Sequence, residues 1–177
     1  MEMKTLINPK LRQMIVDDIQ SLIIPEKDVA YLYDFNSLMH GLLVLTSVNY
    51  AMIPVLKKTG QMVGLLNITM IIQEAMTLED MDMDNLEGKT IDQIELRKPE
   101  FITQDEEIDS IIYKLLDNNF VCVVNDLENK EFIGIITRNA VLKRLNALLH
   151  NPKLNEIVKF GTDLEMLIQK NSEEFHY

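Results

Sequence analysis

The chain has 177 residues, of which 17 are basic and 28 acidic, giving a formal net charge of −11 at pH 7. This charge excludes the sequence-independent attraction that draws basic proteins to nucleic-acid backbones and anionic membranes. No segment reaches the roughly 18 consecutive apolar residues of a membrane-spanning helix, and the first residues lack the apolar stretch of a secretory signal. We therefore expect a cytoplasmic protein without nucleic-acid or membrane partners.

The N-terminal flank, residues 1–24, is predicted to be helical. Asn8 followed by Pro9 is typical of a helix start. Apolar residues then recur at helical spacing, namely Met14, Ile15, Ile19, Leu22 and Ile23.

An internal repeat organises the middle of the chain. A gapless shift of 70 positions lays VAYLYDFNSL (29–38) on PEFITQDEEI (99–108) and continues through the helix and strand that follow. It also pairs Asn49 with Asn119, Tyr50 with Phe120 and Gly64 with Gly134. We expect each copy to be a βαββα unit that is too one-sided to fold alone, so the copies should pack against each other.

The first copy, residues 25–78, is predicted to start with a strand over Val29 to Tyr33. Its helix buries Leu38, Leu42 and Leu45, and Asn49 ends it in left-handed geometry. Two strands, Tyr50 to Leu56 and Met62 to Leu66, flank the turn KKTGQ. Pro54 predicts a sheet edge or a strand end.

An acidic linker, residues 79–98, is predicted between the copies. The stretch from Glu74 to Glu87 holds six acids and no base, which is typical of a solvated segment. Within it, DMDMDN (80–85) resembles the start of a calcium loop. That loop needs Gly at its sixth position and Glu at its twelfth, where this chain has Asn85 and Ile91. No metal site is predicted.

The second copy, residues 99–149, repeats the pattern. A strand from Glu100 to Thr103 leads to a capping box formed by Thr103 and Glu106. The following helix is expected to bury Ile108, Ile112 and Leu115 and to end at a left-handed Asn119. Cys122, in the apolar run FVCVV, is predicted to be a buried, unreactive thiol. The closing helix has an apolar face of Val141, Leu142, Leu145, Leu148 and Leu149.

Arg138 opens that closing helix, directly after Thr137. A cation is disfavoured at the positive end of a helix dipole by about 0.3 to 1 kcal/mol. The placement is explained if an anion binds there, because the helix amides, the Thr137 hydroxyl and the guanidinium all donate to phosphate. The alternative is an ion pair with an acid of the other copy or of a second subunit. Ile68 takes this place in the first copy, which predicts one phosphate-binding site per chain.

The C-terminal extension, residues 150–177, is also predicted to be helical. Gly161 marks a stop, and the sequence from Thr162 to Glu165 is a capping box for a final helix. Lys143 and Arg144 are expected on a solvated face of the preceding helix.

The tandem βαββα pattern, with Gly, two apolar residues and Asn or Thr leading into each closing helix, resembles a pair of cystathionine-β-synthase (CBS) domains over residues 25–149. The strings HGLLVLTSVNYAMIPVL, NNFVCVVND and GIITRNAVLKRLN resemble more narrowly the stand-alone DarB/CbpB proteins of Firmicutes, which bind cyclic di-AMP. The implied fold is mixed α/β (α+β), two βαββα CBS motifs packed as a pair, with helical N- and C-terminal flanks.

The resemblance also implies a non-catalytic homodimer that controls a partner protein. In this family the partner is a (p)ppGpp synthetase/hydrolase or pyruvate carboxylase, and cyclic di-AMP disfavours the contact. The implied nucleotide-binding residues precede the first strand, begin the second strand, or form the Thr-Arg turn of the second copy: Lys27, Asp28, Ala30, Tyr50, Ala51, Met52, Thr137, Arg138 and Asn139.

This sequence departs from the family pattern at several of these positions. Ala51 and Met52 stand where Thr and Ala are usual, Asp28 aligns with a lysine, and Asn139 replaces a second arginine. Tyr50 is interpreted either as a ring that stacks on adenine or as an ordinary half-buried strand tyrosine. The alternative functions are an interaction protein whose ligand site has decayed and a sensor of AMP or ATP. In the common CBS mode an Asp holds the ribose three residues after the Thr; here Ala140 and Met70 take those places.

No catalytic constellation is visible. The chain has no GxSxG motif, no P-loop and no pair of acids at recognisable spacing, and its three histidines are scattered. We therefore predict no catalytic residue and no cofactor other than a regulatory nucleotide.

Overall fold

The computed structural model describes residues 19–48, 50–76 and 83–150. Four predicted features lie outside the described residues: the N-terminal helix start, Asn49, the first three residues of DMDMDN and the helical extension beyond residue 150. Two compact units divide the chain, and the larger one comprises residues 18–138. The described part of the smaller unit, residues 139–150, is the remainder of the last helix and the residue after it.

Seven strands and five helices are present in the described residues. The strands are β1 (Ile24–Pro25), β2 (Leu32–Tyr33), β3 (Ile53–Leu56), β4 (Met62–Leu66), β5 (Phe101–Ile102), β6 (Phe120–Val124) and β7 (Phe132–Thr137). The helices are α1 (Leu38–Val48), α2 (Ile68–Ala75), α3 (Asn85–Gly88), α4 (Ile108–Asp117) and α5 (Arg138–Leu149). Short 3₁₀ turns cover Ile19–Leu22, Glu26–Asp28 and Ile91–Gln93. The mixed α/β class is confirmed.

Two sheets share one strand pattern, which confirms the repeat. In the first copy β2 runs parallel to β3, and β3 runs antiparallel to β4. In the second copy β5 runs parallel to β6, and β6 runs antiparallel to β7. β1 adds a fourth, antiparallel strand beside β7.

Each sheet is extended at one edge by the backbone segment that directly precedes the other copy. Ile24, just before copy 1, pairs with Ile135 of copy 2, whereas Arg97, just before copy 2, pairs with Leu65 of copy 1. Each segment packs directly against a glycine of the sheet that it extends. A Cβ atom on Gly134 would overlap the carbonyl oxygen of Ile24, and one on Gly64 would lie 2.5 Å from the Cβ of Leu96. Only glycine admits these close approaches.

The two copies pack face to face, as expected. One buried cluster draws Val29, Leu56, Met62 and Leu65 from copy 1 and Cys122, Phe132 and Ile135 from copy 2. The hairpin turns are also joined: the Met62 N–H donates to the Lys130 carbonyl at 2.9 Å, and the Phe132 N–H donates to the Gly60 carbonyl at 3.0 Å. Burial at this interface supplies the apolar contact that neither copy can make alone.

The repeat is not gapless, which corrects the predicted alignment. Gly64 faces Val55 in the first hairpin, and Gly134 faces Val123 in the second. The glycines lie 70 positions apart but the valines only 68, so copy 1 has two extra residues between its helix and β3. The predicted pairing of Tyr50 with Phe120 is therefore wrong.

The corrected register assigns new counterparts to the segment before β3. Asn118, Asn119 and Phe120 are equivalent to Tyr50, Ala51 and Met52, and both Met52 and Phe120 are partly buried against the interface cluster. Tyr50 lies before β3, not within it, and is 42% exposed. The interpretation as a half-buried strand tyrosine is wrong.

Pro54 lies inside β3, the central strand of its sheet, so the predicted edge or end position is wrong. Its cross-strand partner Leu65 directs both its N–H and its C=O to Arg97, at 2.9 and 3.1 Å. The Pro54–Leu65 pair therefore exchanges no hydrogen bonds, and the missing proline N–H leaves no acceptor in β4 unpaired. On the other side, β2 begins only opposite Val55.

The predicted capping box of α4 is also wrong. The helix starts at Ile108, and its N-cap residue Glu107 makes no side-chain cap. The Thr103 hydroxyl instead bonds Asp105, which lowers the pKa of that carboxyl, and Glu106 accepts from Ser110 at 2.5 Å and pairs with Lys114 at 3.5 Å. Thr103 follows β5 and starts a turn, since the Glu106 N–H donates to its carbonyl at 3.2 Å.

Helix faces follow the predicted period with a shifted phase. The buried residues are Leu38, Gly41 and Leu45 in α1 and Ile108, Ile111 and Leu115 in α4, so Leu42 and Ile112 lie beside the buried face. In α5 Val141 is buried, but Leu142 is 53% exposed, contrary to prediction. Lys143 and Arg144 are exposed as predicted. Asn119 has no positive φ; among the described non-glycine residues only Lys130 does.

The described part of the predicted linker is not a solvated tether. Leu86 of α3 and Ile91 are fully buried in the core of copy 1. Lys89 forms an ion pair with Glu74 of α2 at 3.0 Å. These contacts hold residues 85–97 on copy 1 and so deliver Arg97 to the edge of β4.

Cys122 is buried as predicted, and its burial raises the pKa of the thiol. Each unit of raised pKa lowers the reactive thiolate fraction about tenfold. We expect alkylation by iodoacetamide at pH 8 to be at least about tenfold slower in the folded protein than in guanidinium chloride. Mass spectrometry over time measures both rates, and equal rates would contradict the buried position.

Candidate functional site

Arg138 is the first residue of α5, but its guanidinium lies at the other end of a different helix. Nε donates to the carbonyl of Leu115 at 2.8 Å, and Nη2 donates to the carbonyls of Leu116 and Asn118 at 3.2 and 2.9 Å. Its backbone N–H donates to the carbonyl of Asn119 at 2.8 Å. The side chain therefore caps the C-terminus of α4.

In this position the Arg138 cation lies at the negative end of the α4 dipole. The last carbonyls of a helix lack partners within it, and the C-terminus carries partial negative charge, so a guanidinium there is stabilising. The guanidinium donates to carbonyl oxygens, and none of these contacts is the alternative ion pair with a carboxylate of the other copy. Arg138 is half-buried and held by several bonds, which gives it a defined position.

A small open cleft of about 80 Å³ lies between the copies. Its walls come from the segments before β3 and β6, from β4 and from the chain before β5. The lining residues are Ala51, Met52, Leu65, Arg97, Asp117, Asn118, Asn119 and Phe120. The apolar side chains come mainly from the interface cluster, and the polar groups come from the end of α4.

Arg97 is the cation of this cleft. Its Nη2 donates to Asn118 Oδ1 at 3.4 Å, and Nη1 lies 3.9 Å from the sulfur of Met52. Asn118 in turn donates from Nδ2 to the Lys114 carbonyl at 2.9 Å, so it links the cleft to the end of α4. The segment Asp117 to Phe120 therefore stands between the guanidiniums of Arg97 and Arg138.

The repeat relates this cleft to a second position on the molecule. There Tyr50 to Met52 take the places of Asn118 to Phe120, and Ile135 takes the place of Leu65. Ile24 replaces Arg97, because it pairs with Ile135 as Arg97 pairs with Leu65. The predicted residues Thr137 and Arg138 follow Ile135 along the chain, and the turn with Lys27 and Asp28 follows Ile24.

The remaining predicted residues have the following places. Lys27 and Asp28 are exposed on the 3₁₀ turn Glu26–Asp28, which contacts β7. Ala30 is partly buried against the core of copy 1. Thr137 ends β7 opposite Phe120. Asn139 is exposed and belongs to the smaller unit.

Sequence reasoning missed Arg97 and Asn118. The predicted acidic linker includes Arg97, and the gapless alignment places Asn118 two residues out of register. A sequence signal for Arg97 was present, since LRKPE precedes the first strand of copy 2 just as the segment with Lys27 precedes that of copy 1. Among the described residues, no group of three His, Cys, Asp or Glu side chains could hold a metal ion. In the same parts of the chain, no helix has the length and apolarity to cross a membrane.

Comparison with known proteins identifies relatives of both the sequence and the fold. The family model of the CBS domain matches residues 91–147. Cyclic di-AMP receptor B of Bacillus subtilis (strain 168) is 33% identical over 134 residues, covering 76% of this chain and 90% of that protein.

Solved structures give the same family. The CbpB protein of Listeria monocytogenes in complex with c-di-AMP is 32% identical with a TM-score of 0.67, covering 75% of this chain and 97% of that one. CbpB from Streptococcus agalactiae is 28% identical with a TM-score of 0.71, covering 81% and 89%. These matches span both copies, not the family-model region alone.

Proposed function

Since the chain belongs to the CBS-domain family that includes cyclic di-AMP receptor B, we propose that it is a non-catalytic regulatory protein that binds cyclic di-AMP. The observation that carries this proposal is the 33% sequence identity to that receptor, over 90% of the receptor's length. The complex of a similar CbpB protein with c-di-AMP supports the same ligand.

We propose that the ligand occupies the repeat-related position and contacts the three segments that carry the predicted residues. Tyr50 stacks on an adenine, and its 42% exposure supports that role over a structural one. Arg138 and Thr137 donate to a phosphodiester, and the turn with Lys27 and Asp28 borders the site. Ala30, Ala51 and Met52 complete the proposed lining.

Control of another protein follows from the family and stays a proposal. The chain acts as a cytoplasmic homodimer, and cyclic di-AMP changes its affinity for a partner such as a (p)ppGpp synthetase/hydrolase or pyruvate carboxylase. Ligand and partner are then coupled reciprocally, with a typical coupling free energy of about 1 to 3 kcal/mol.

Isothermal titration calorimetry of the full chain tests the ligand. Cyclic di-AMP is expected to bind at one site per chain. ATP is expected to compete only weakly for that site. Cyclic di-GMP serves as the matched control, since it keeps the phosphodiester ring and changes only the base. Absence of heat with cyclic di-AMP, or an equal response to cyclic di-GMP, would overturn the proposal.

A further inference from the structure

Asn118 holds the guanidinium of Arg138 with its backbone carbonyl. Of the four bonds that Nε and Nη2 donate to the end of α4, two end on this oxygen, at 3.2 and 2.9 Å. The other two end on the carbonyls of Leu115 and Leu116, which the helix itself orients. Asn118 follows the last residue of α4, and its φ of −121° and ψ of 144° are extended. The direction of its carbonyl therefore depends on how the chain leaves the helix.

The side chain of Asn118 stabilises this exit from the helix. Its Nδ2 donates to the carbonyl of Lys114 at 2.9 Å. A continuing helix would pair that carbonyl with the backbone N–H of residue 118, four positions later. The side-chain amide therefore satisfies the carbonyl in place of another helical turn, which allows the backbone to turn away. Without the amide, continuation of the helix becomes the alternative way to pair the same carbonyl.

Arg97 fixes the orientation of that amide. Its Nη2 donates to Asn118 Oδ1 at 3.4 Å. Because an amide has its acceptor on oxygen and its donors on nitrogen, a cation at Oδ1 directs Nδ2 towards the Lys114 carbonyl. The main chain of Arg97 is itself fixed by two hydrogen bonds with Leu65, at 2.9 and 3.1 Å. The bond to Asn118 is long and exposed, so its contribution is smaller than that of the amide itself.

We propose that Asn118 is a positioning residue for Arg138 in the cyclic di-AMP site, an inference that rests on the proposed function. The carbonyls at the end of α4 occupy Nε and Nη2 of Arg138, whereas Nη1 has no acceptor among the described residues. A guanidinium is planar and rigid, so two fixed nitrogens set the direction of the third. Nη1 then meets the phosphodiester without reorganisation, which raises affinity. Asn118 acts through Arg138 and does not contact the ligand.

Calorimetry of the full chain with cyclic di-AMP tests the effect on affinity, with Asn118→Ala as the variant and Asn146→Ala as its matched control. Both changes remove one side-chain amide, but Asn146 is exposed on α5. We expect the dissociation constant to rise roughly three- to tenfold in Asn118→Ala, at unchanged stoichiometry, and to stay within about twofold of wild type in Asn146→Ala. Equal dissociation constants of the two variants would overturn the positioning role. Absence of heat with the wild type would overturn the proposed function itself.

A double-mutant cycle separates positioning from a general loss of structure. If Asn118 acts through Arg138, its replacement has nothing left to misplace once the guanidinium is gone. We therefore expect Asn118→Ala to change the cyclic di-AMP dissociation constant by less than about twofold in an Arg138→Ala background. The full effect of Asn118→Ala in that background would show that the two residues act independently, and the proposal would fail.

NMR of the ligand-free protein tests the position of Arg138 without any ligand. The Nε–Hε signal of Arg138 is assigned by its absence in Arg138→Ala. We expect this signal to shift and to exchange faster with water in Asn118→Ala, because Nε loses a fixed acceptor, and to stay in place in Asn146→Ala. Arg97→Ala is expected to shift it less than Asn118→Ala does, because its bond to Oδ1 is long. A signal that Asn118→Ala leaves unchanged would contradict the positioning role.

Discussion

Arg138→Ala is expected to raise the dissociation constant for cyclic di-AMP at least tenfold. A hydrogen bond to a charged group contributes about 1.5 to 3 kcal/mol, which corresponds to roughly a ten- to hundredfold change in affinity. Calorimetry on the full chain measures the effect. Lys143→Ala is the control, because it removes one exposed cation from the same helix.

The same substitution has a structural effect that must be separated from the loss of a ligand contact. Removing the guanidinium leaves the carbonyls of Leu115, Leu116 and Asn118 without this donor. We expect the free energy of unfolding of the ligand-free protein to fall by about 1 to 3 kcal/mol, measured by urea denaturation. Arg138→Lys retains the charge but loses the planar fork that reaches several carbonyls.

These two measurements distinguish the possible roles of Arg138. Lower stability with unchanged cyclic di-AMP affinity would make it a structural cap and remove it from the proposed site. An affinity loss of the same size in Lys143→Ala would indicate that long-range charge is responsible, not a contact. A tenfold loss in Arg138→Ala alone supports the site.

Gly134→Ala is expected to destabilise the protein by about 1 to 3 kcal/mol or more. The added Cβ would overlap the carbonyl oxygen of Ile24, so β1 must move away from β7. Urea denaturation with an unchanged slope would report this loss as a shift of the midpoint.

Gly88→Ala is the matched control for this change. A Cβ at Gly88, in α3, meets no atom within 4 Å, and alanine favours the helix. Its stability is expected to stay within about 1 kcal/mol of wild type or to rise. Equal midpoints for Gly134→Ala and Gly88→Ala would show that β1 does not lie against Gly134.

The fold could be predicted from sequence because it rests on periodic apolar patterns. The runs Met62 to Leu66 and Phe120 to Val124 are strands because they are apolar and bounded by turn residues. The repeat itself is visible because paired glycines stand at the same place in each hairpin. The family resemblance drew on the same residues.

The register could not be predicted because sequence similarity does not detect a compensated insertion. Compared with copy 2, copy 1 has two extra residues between α1 and β3. It also has three extra residues between Ile24, which pairs with the other copy's sheet, and β2. A gapless alignment shows neither insertion. The position of Pro54 could not be predicted for a related reason. A proline fits this central strand because its partner Leu65 makes its backbone hydrogen bonds to Arg97, which lies 43 positions after Pro54. Such long-range pairing leaves no local pattern.

The candidate site was predicted in part. The chain position of Arg138 indicated a cation at a helix start, but its guanidinium extends to the end of another helix, and no periodicity encodes that. Arg97 is not predicted because the charge pattern places its segment in an acidic linker. Its position depends on Leu86 and Ile91, whose burial fixes that segment on copy 1.

The reciprocal pairing of Ile24 with Ile135 and of Arg97 with Leu65 interlocks the two halves. A fragment containing a single CBS motif would lack the backbone segment that pairs with its sheet from beside the other motif. One edge of its sheet would be unpaired, and the glycine at that edge would have no backbone segment packed against it. Excision at the apparent domain boundaries therefore removes a hydrogen-bonded segment from both sheets at once, so the complete sheets exist only in the duplicated unit.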